Sequence, residues 1–121
     1  MVEGVVASGS GSASSWMHLF NPFFGQLLNV TFVHGSLNLE LGEPIEWKDP
    51  QQFEIGGRSW EFCPITLSEQ AIGIAFRGNR QRRDLLEIAS PARLRQRLGI
   101  LQDGAKVRCR LLSGGFLRPA A

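Results

Sequence analysis

Hydrophobic and polar residues alternate in short runs along most of this chain. Lys106 to Leu112 sets Val107, Cys109 and Leu111 on one side and basic residues on the other. Ser36 to Leu41 sets Leu37, Leu39 and Leu41 against Ser36, Asn38 and Glu40. A period of two is the mark of a half-buried strand. Ala71 to Phe76 alternates through Ile72, Ile74 and Phe76, Leu85 to Ala89 is a further strand, and Val2 to Ala7 is a valine-rich first one. Phe53-Glu54-Ile55, then Gly56-Gly57, then Arg58 to Leu67 predicts a hairpin, because adjacent glycines supply the positive φ of a tight turn. Helical signals are few. Asn21-Pro22 predicts the cap and first residue of a short turn through Leu28, closed by Asn29, with Phe23, Phe24, Leu27 and Leu28 in the core. Ser90 predicts the cap of a second helix that begins at Pro91 and ends at Gly99. Asp103-Gly104 then turns the chain into its last strand.

Short strands with one or two small helices and no βαβ alternation predict an all-β protein, a six-stranded, closed or nearly closed antiparallel barrel. At 121 residues the chain is expected to form one domain over residues 1–113, with 114–121 as a flexible C-terminal tail.

Composition narrows the class only a little. Cys63 and Cys109 both lie in apolar strand-like runs and read as buried thiols, although two cysteines also admit a disulfide. The Cys/His cluster of a structural zinc site is absent from the sequence. The start lacks the basic and apolar regions of a signal peptide, and no run approaches ~20 apolar residues. A cytoplasmic protein with no membrane partner is expected. Charge changes the picture more. Residues 1–76 carry a net −6 and residues 77–121 a net +8, which leaves the chain at +2. An anionic ligand met by the C-terminal half is one reading; a solvated loop at Arg80, Arg82 and Arg83 is the other.

Four places carry candidate chemistry. The Gly/Ser stretch Ser8 to Ser15 has the composition of a linker, but it sits between a strand and the aromatic segment from Trp16. Held there, its backbone N–H groups and hydroxyls suit phosphate, although the Gly-Lys-Ser/Thr ending of a Walker loop is missing. Ser36 and Asn38 stand side by side on one strand face, two neutral oxygens suited to a Mg²⁺ ion that arrives with a nucleotide. The same pair is also what the wet face of a strand looks like. Glu87 lies in an otherwise apolar strand, where a carboxylate pairs with an arginine or meets a ligand. The expected helix from Pro91 offers free N–H groups flanked by Arg93 and Arg95, or else is a plain amphipathic helix packed through Leu94 and Leu98. His18 and His34 read as surface or loop residues.

These stretches occur together in a known order. Gly4-Val5-Val6-Ala7-Ser8-Gly9-Ser10-Gly11, Gly35-Ser36-Leu37-Asn38-Leu39, Phe53-Glu54-Ile55-Gly56-Gly57-Arg58, Leu86-Glu87-Ile88-Ala89-Ser90-Pro91-Ala92-Arg93-Leu94-Arg95 and Leu101-Gln102-Asp103-Gly104 follow one another as in the archaeal CTP-dependent riboflavin kinases. The chain resembles that family over nearly its whole length. The resemblance implies a six-stranded cradle-loop barrel that transfers the γ-phosphoryl group of CTP to riboflavin with Mg²⁺. It implies nucleotide contacts at Gly9, Ser10, Gly11, Ser12, Ala13 and Ser14 and again at Ala92, Arg93, Leu94 and Arg95. It implies metal ligands at Ser36 and Asn38, and flavin contacts at Asn79 and Glu87, the latter also able to take the hydroxyl proton. The chain departs from the family pattern at Ala13 (a glycine there), Ser36 and Asn79 (threonines there), and Thr31 to His34, which replace a proline-containing turn.

The first expectation is therefore a CTP-dependent riboflavin kinase that makes FMN. The alternative is a barrel that binds nucleotide or flavin without turnover. A nucleic-acid-binding barrel is the weakest reading, since the aromatics do not interleave with the arginines as stacking platforms do. The sequence leaves the oligomeric state open.

Overall fold

The computed structural model describes residues 2–7, 13–33, 36–78, 81–100 and 102–112. In chain order its elements are β1 (Val2–Ala7), α1 (Ala13–Leu28), β2 (Leu37–Glu40), β3 (Gln51–Ile55), β4 (Arg58–Leu67), β5 (Ala71–Gly78), β6 (Leu85–Ala89), α2 (Leu94–Arg97) and β7 (Lys106–Leu111). Six strands form a closed antiparallel barrel in the order β4, β5, β6, β2, β1, β7. The ring shuts where β7 returns to β4 through Ile65↔Leu111, Thr66↔Arg110 and Leu67↔Cys109. The seventh strand, β3, pairs with the first half of β4 as an arm. Gly56 and Gly57 both have positive φ, 63° and 76°, as a two-residue hairpin turn demands.

Two cores result. Val6, Leu37, Leu39, Ile65, Leu86, Ile88, Val107 and Cys109 fill the barrel. Cys63 and Cys109 are buried free thiols, and burial pushes Cys109 up to about 12. The fit is tight at Gly73, where a Cβ would stand 2.6 Å from Ile88 Cγ2 and 2.9 Å from the Ala89 carbonyl oxygen. A backbone oxygen cannot swing aside, so Gly73→Ala should lower stability by about 1–3 kcal/mol. Thermal melting checks this; an unchanged midpoint would mean the strands have room there.

The second core lies outside the barrel, where α1 covers β4 and β5. Here the expectation is corrected. The helix starts at Ala13, so Ala13 and Ser14 are helical backbone and not open loop, and Pro22 is inside the helix instead of first in it. Met17, Phe20 and Phe24 share one face and are fully buried. The Phe20 ring meets Trp60, Phe62 and Phe76 edge-on at 5.1, 5.5 and 5.2 Å. Each such side chain contributes about 1.5–3 kcal/mol on burial, and the three together outweigh the ~3 kcal/mol cost of an interior proline. Asn29 ends the helix as expected, with φ 56° and its N–H donating to the Gly25 carbonyl at 3.1 Å. Asn21 is not a cap. Its amide clamps the Phe32 backbone, accepting from the N–H at 2.7 Å and donating to the carbonyl at 3.2 Å.

Among the described residues, no helix is long and apolar enough to cross a membrane. The tail expected from Gly114 lies outside the described residues.

Candidate functional site

Strand register assembles the site. Ala7 of β1 pairs with Asn38 of β2, Asn38 with Glu87 of β6, and Glu87 with Phe76 of β5. Cross-strand partners share a face, so Asn38 and Glu87 stand together outside the barrel, opposite buried Leu37 and Leu39. Ser36 joins them: its hydroxyl is 3.5 Å from Glu87 Oε2. The expected face of Ser36 and Asn38 is real, and it includes a carboxylate that strand alternation alone did not connect to it. Ala7 is also the last strand residue before the Gly/Ser stretch. Gly9, Ser10, Gly11 and Ser12 lie outside the described residues, as do His34, Gly35, Asn79 and Arg80.

Glu87 pairs with no arginine among the described residues. Gln81 Nε2 donates to its Oε1 at 2.8 Å, while Gln81 Oε1 accepts the Gly78 N–H at 2.7 Å. Gln81 was invisible to motif reading, because a glutamine in an arginine-rich turn carries no signature. The arginines around it do structural work: Arg82 makes two hydrogen bonds to Asp84, and Arg83 lies 3.5 Å from Glu61.

Burial pushes the Glu87 carboxyl above the ordinary value of 4.5, and the donors Gln81 and Ser36 only partly oppose it. The folded chain therefore holds this proton more tightly than the unfolded chain does. Stability should fall as pH rises through 4.5 towards the raised value, and stay reduced at neutral pH. Glu87→Gln cannot ionise, so urea titrations between pH 4 and 8 should show a flatter profile and no loss of stability at pH 7. Superimposable profiles for variant and parent would rule out the shifted carboxyl.

The second motif is differently built than expected. No helix starts at Pro91. Ser90 accepts the Ala92 N–H through its hydroxyl at 3.1 Å, and the same oxygen donates to the Ile72 carbonyl at 3.1 Å. Arg93 is extended, with ψ 102°, and only Leu94–Arg97 is helical before Gly99 turns the chain at φ 69°. Four residues sum to little dipole, so the anion site expected at a helix N-terminus is withdrawn. Positive charge there comes from side chains. Ala92, Arg93, Leu94 and Arg95 nevertheless line one small pocket of about 180 Å³ together with Ser36 and Ser90. Arg95 is held by Asp103 at 2.5 Å. Arg93 is exposed and makes no ion pair among the described residues. Two stretches more than fifty positions apart thus share a wall.

Could these residues hold a divalent cation? Among the described residues there is no cluster of three or more acidic, histidine or cysteine side chains. What is present is a carboxyl group, with no cationic partner among the described residues, beside a hydroxyl and a carboxamide. That set is too weak for a metal on its own and fits Mg²⁺ completed by phosphate oxygens and water. No protein-family model matches the chain, and no curated protein matches it.

Proposed function

We propose that the chain is a phosphotransferase of the CTP-dependent riboflavin kinase type. The observation that carries this reading is the place of Ser36: its hydroxyl reaches Glu87 on the outer strand face, and it lines one small pocket with Arg93 and Arg95, at the start of the strand paired with β1, which feeds the Gly/Ser stretch. Phosphoryl transfer needs positioning and charge neutralisation more than covalent chemistry, and the site supplies those two things. Arg93 and Arg95 would face the phosphates. Ser36 and Asn38 would hold Mg²⁺, which supplies charge neutralisation across the phosphates when bound, with Glu87 beside them facing the flavin hydroxyl. A flavin hydroxyl oxygen attacks the γ-phosphorus, the bond to the β-phosphate oxygen breaks, and the nucleoside diphosphate leaves. The hydroxyl proton goes to Glu87, whose carboxyl is held above its ordinary value by burial.

The test is direct. The protein is incubated with riboflavin, Mg²⁺ and each of the four nucleoside triphosphates in turn, and FMN is measured. FMN formed fastest with CTP is the expected result. Nucleotide or flavin binding without FMN replaces the kinase with a non-catalytic binding barrel, and neither binding nor turnover removes both.

A further inference from the structure

A groove of about 840 Å³ lies across the Pro91–Ala92 turn from the polar pocket; it shares Ser90 and Ala92 with that pocket, and the kinase reading uses none of the rest of it. The two are divided by the hydrogen bond from the Val33 N–H to the Ser90 carbonyl, 3.0 Å. On the outer face of β5, Ile74 is buried beneath the aromatic cluster, but Ile72, the next residue on that face, is 61 % exposed. The apolar outer surface therefore continues past the end of its cover. Phe32, Ile74 and Pro91 extend the floor around Ile72. This is a broad apolar surface on a sheet, of the size that small-molecule sites have.

Its rim is basic. Register sets Arg110 of β7 beside Thr66 of β4, and Thr66 beside Ile72 of β5. Two strand spacings, about 10 Å, thus separate Arg110 from the exposed isoleucine on one face. Arg97 of α2 lines the same groove, anchored by its Nε to the Gln70 carbonyl at 3.5 Å. Glu69 is the acidic residue on this rim. Both guanidinium groups belong to exposed residues and form no ion pair among the described residues.

We propose that this groove is a second binding site, for a flat aromatic molecule bearing an acidic group. The rings lie over Ile72 and Pro91 and the acid meets Arg97 and Arg110. The assignment is independent of the kinase reading.

The probe is 8-anilinonaphthalene-1-sulfonate, titrated into the full chain and followed by its fluorescence. One saturable site is expected, emptied by 2-naphthoate and not by the neutral 2-naphthamide. Ile72→Glu and the double variant Arg97→Gln/Arg110→Gln should each weaken binding at least tenfold, with Asn38→Ala unchanged. All these positions are at least partly exposed, and melting curves verify folding; Ile72→Thr replaces Ile72→Glu should the glutamate unfold the chain. Dye bound equally by the arginine double variant would be an adventitious additive only, and would overturn the proposal. So would non-saturable binding, or dye taken up only by a chain ended at Leu112, which would make the chain's own last residues the occupant.

Discussion

Arg77→Ala should cost about 3–5 kcal/mol of unfolding free energy, the largest stability loss expected of any charged residue here. Arg77 has the inward parity of Gly73 and Ala75 and closes one mouth of the barrel, only 2 % exposed. Its register partner Glu61 accepts from Nε at 3.2 Å, the Ile45 carbonyl accepts from Nη1 at 3.0 Å, and the guanidinium carbon lies 4.1 Å from the Trp47 ring centroid. Glu46, at 3.8 Å and 81 % exposed, adds little. Among the described residues, removing the guanidinium leaves Glu61 with Arg83 at 3.5 Å as its remaining cation and strips the face of Trp47, whose indole N–H has no hydrogen-bond partner there. Arg77→Lys should fall between parent and alanine, because an ammonium cannot reach the carboxylate and carbonyl while stacking flat on an indole. Urea denaturation measures all three. The pair is tested by Arg77→Ala in a Glu61→Ala background: coupling of a kcal/mol or more is expected. Simple additivity would reduce Arg77 to a space-filler.

The largest functional effect is expected at Asn38. Asn38→Ala should weaken nucleotide binding in the presence of Mg²⁺ by at least ~100-fold, since even groups that only support a metal ligand are worth 10–100-fold. Without Mg²⁺, parent and variant should bind nucleotide alike. Asn38 lies half-buried on the outer face, opposite the packed leucines, so its loss should leave the urea midpoint nearly unchanged. Calorimetric titration with and without the metal separates the cases. An unchanged affinity with Mg²⁺ would remove Asn38 from the proposed metal site, and an equal loss in both conditions would make it a direct nucleotide contact.

Ser36 and Asn38 were legible because their side chains alternate with leucines, and alternation is a local property of a strand. That Glu87 stands beside them was not, since it depends on β2 pairing with β6 in one register among several. Gln81 follows from that register in turn. Arg77 is the sharpest case: the alternating run ended at Phe76, and only closure of the ring turns the next position into the plug of a barrel.

Local sequence, then, determined what depends on neighbours along the chain. The Gly56-Gly57 hairpin, the inward Val107 and Cys109, the Asn29 stop and the strand Leu85–Ala89 all follow from turn chemistry and a period of two. Tertiary structure decided wherever distant burial outweighed local preference. The helix runs back through Pro22 to Ala13 because Met17, Phe20 and Phe24 find Trp60, Phe62 and Phe76 on the barrel wall. The helix expected from Pro91 shrinks to Leu94–Arg97, with the Ser90 hydroxyl also tied to Ile72, more than a dozen residues back. Propensities are worth tenths of a kcal/mol to about 3 kcal/mol per residue, while a buried aromatic is worth about 1.5–3 kcal/mol and its partners come from anywhere in the chain. Where several such contacts meet, the local signal loses.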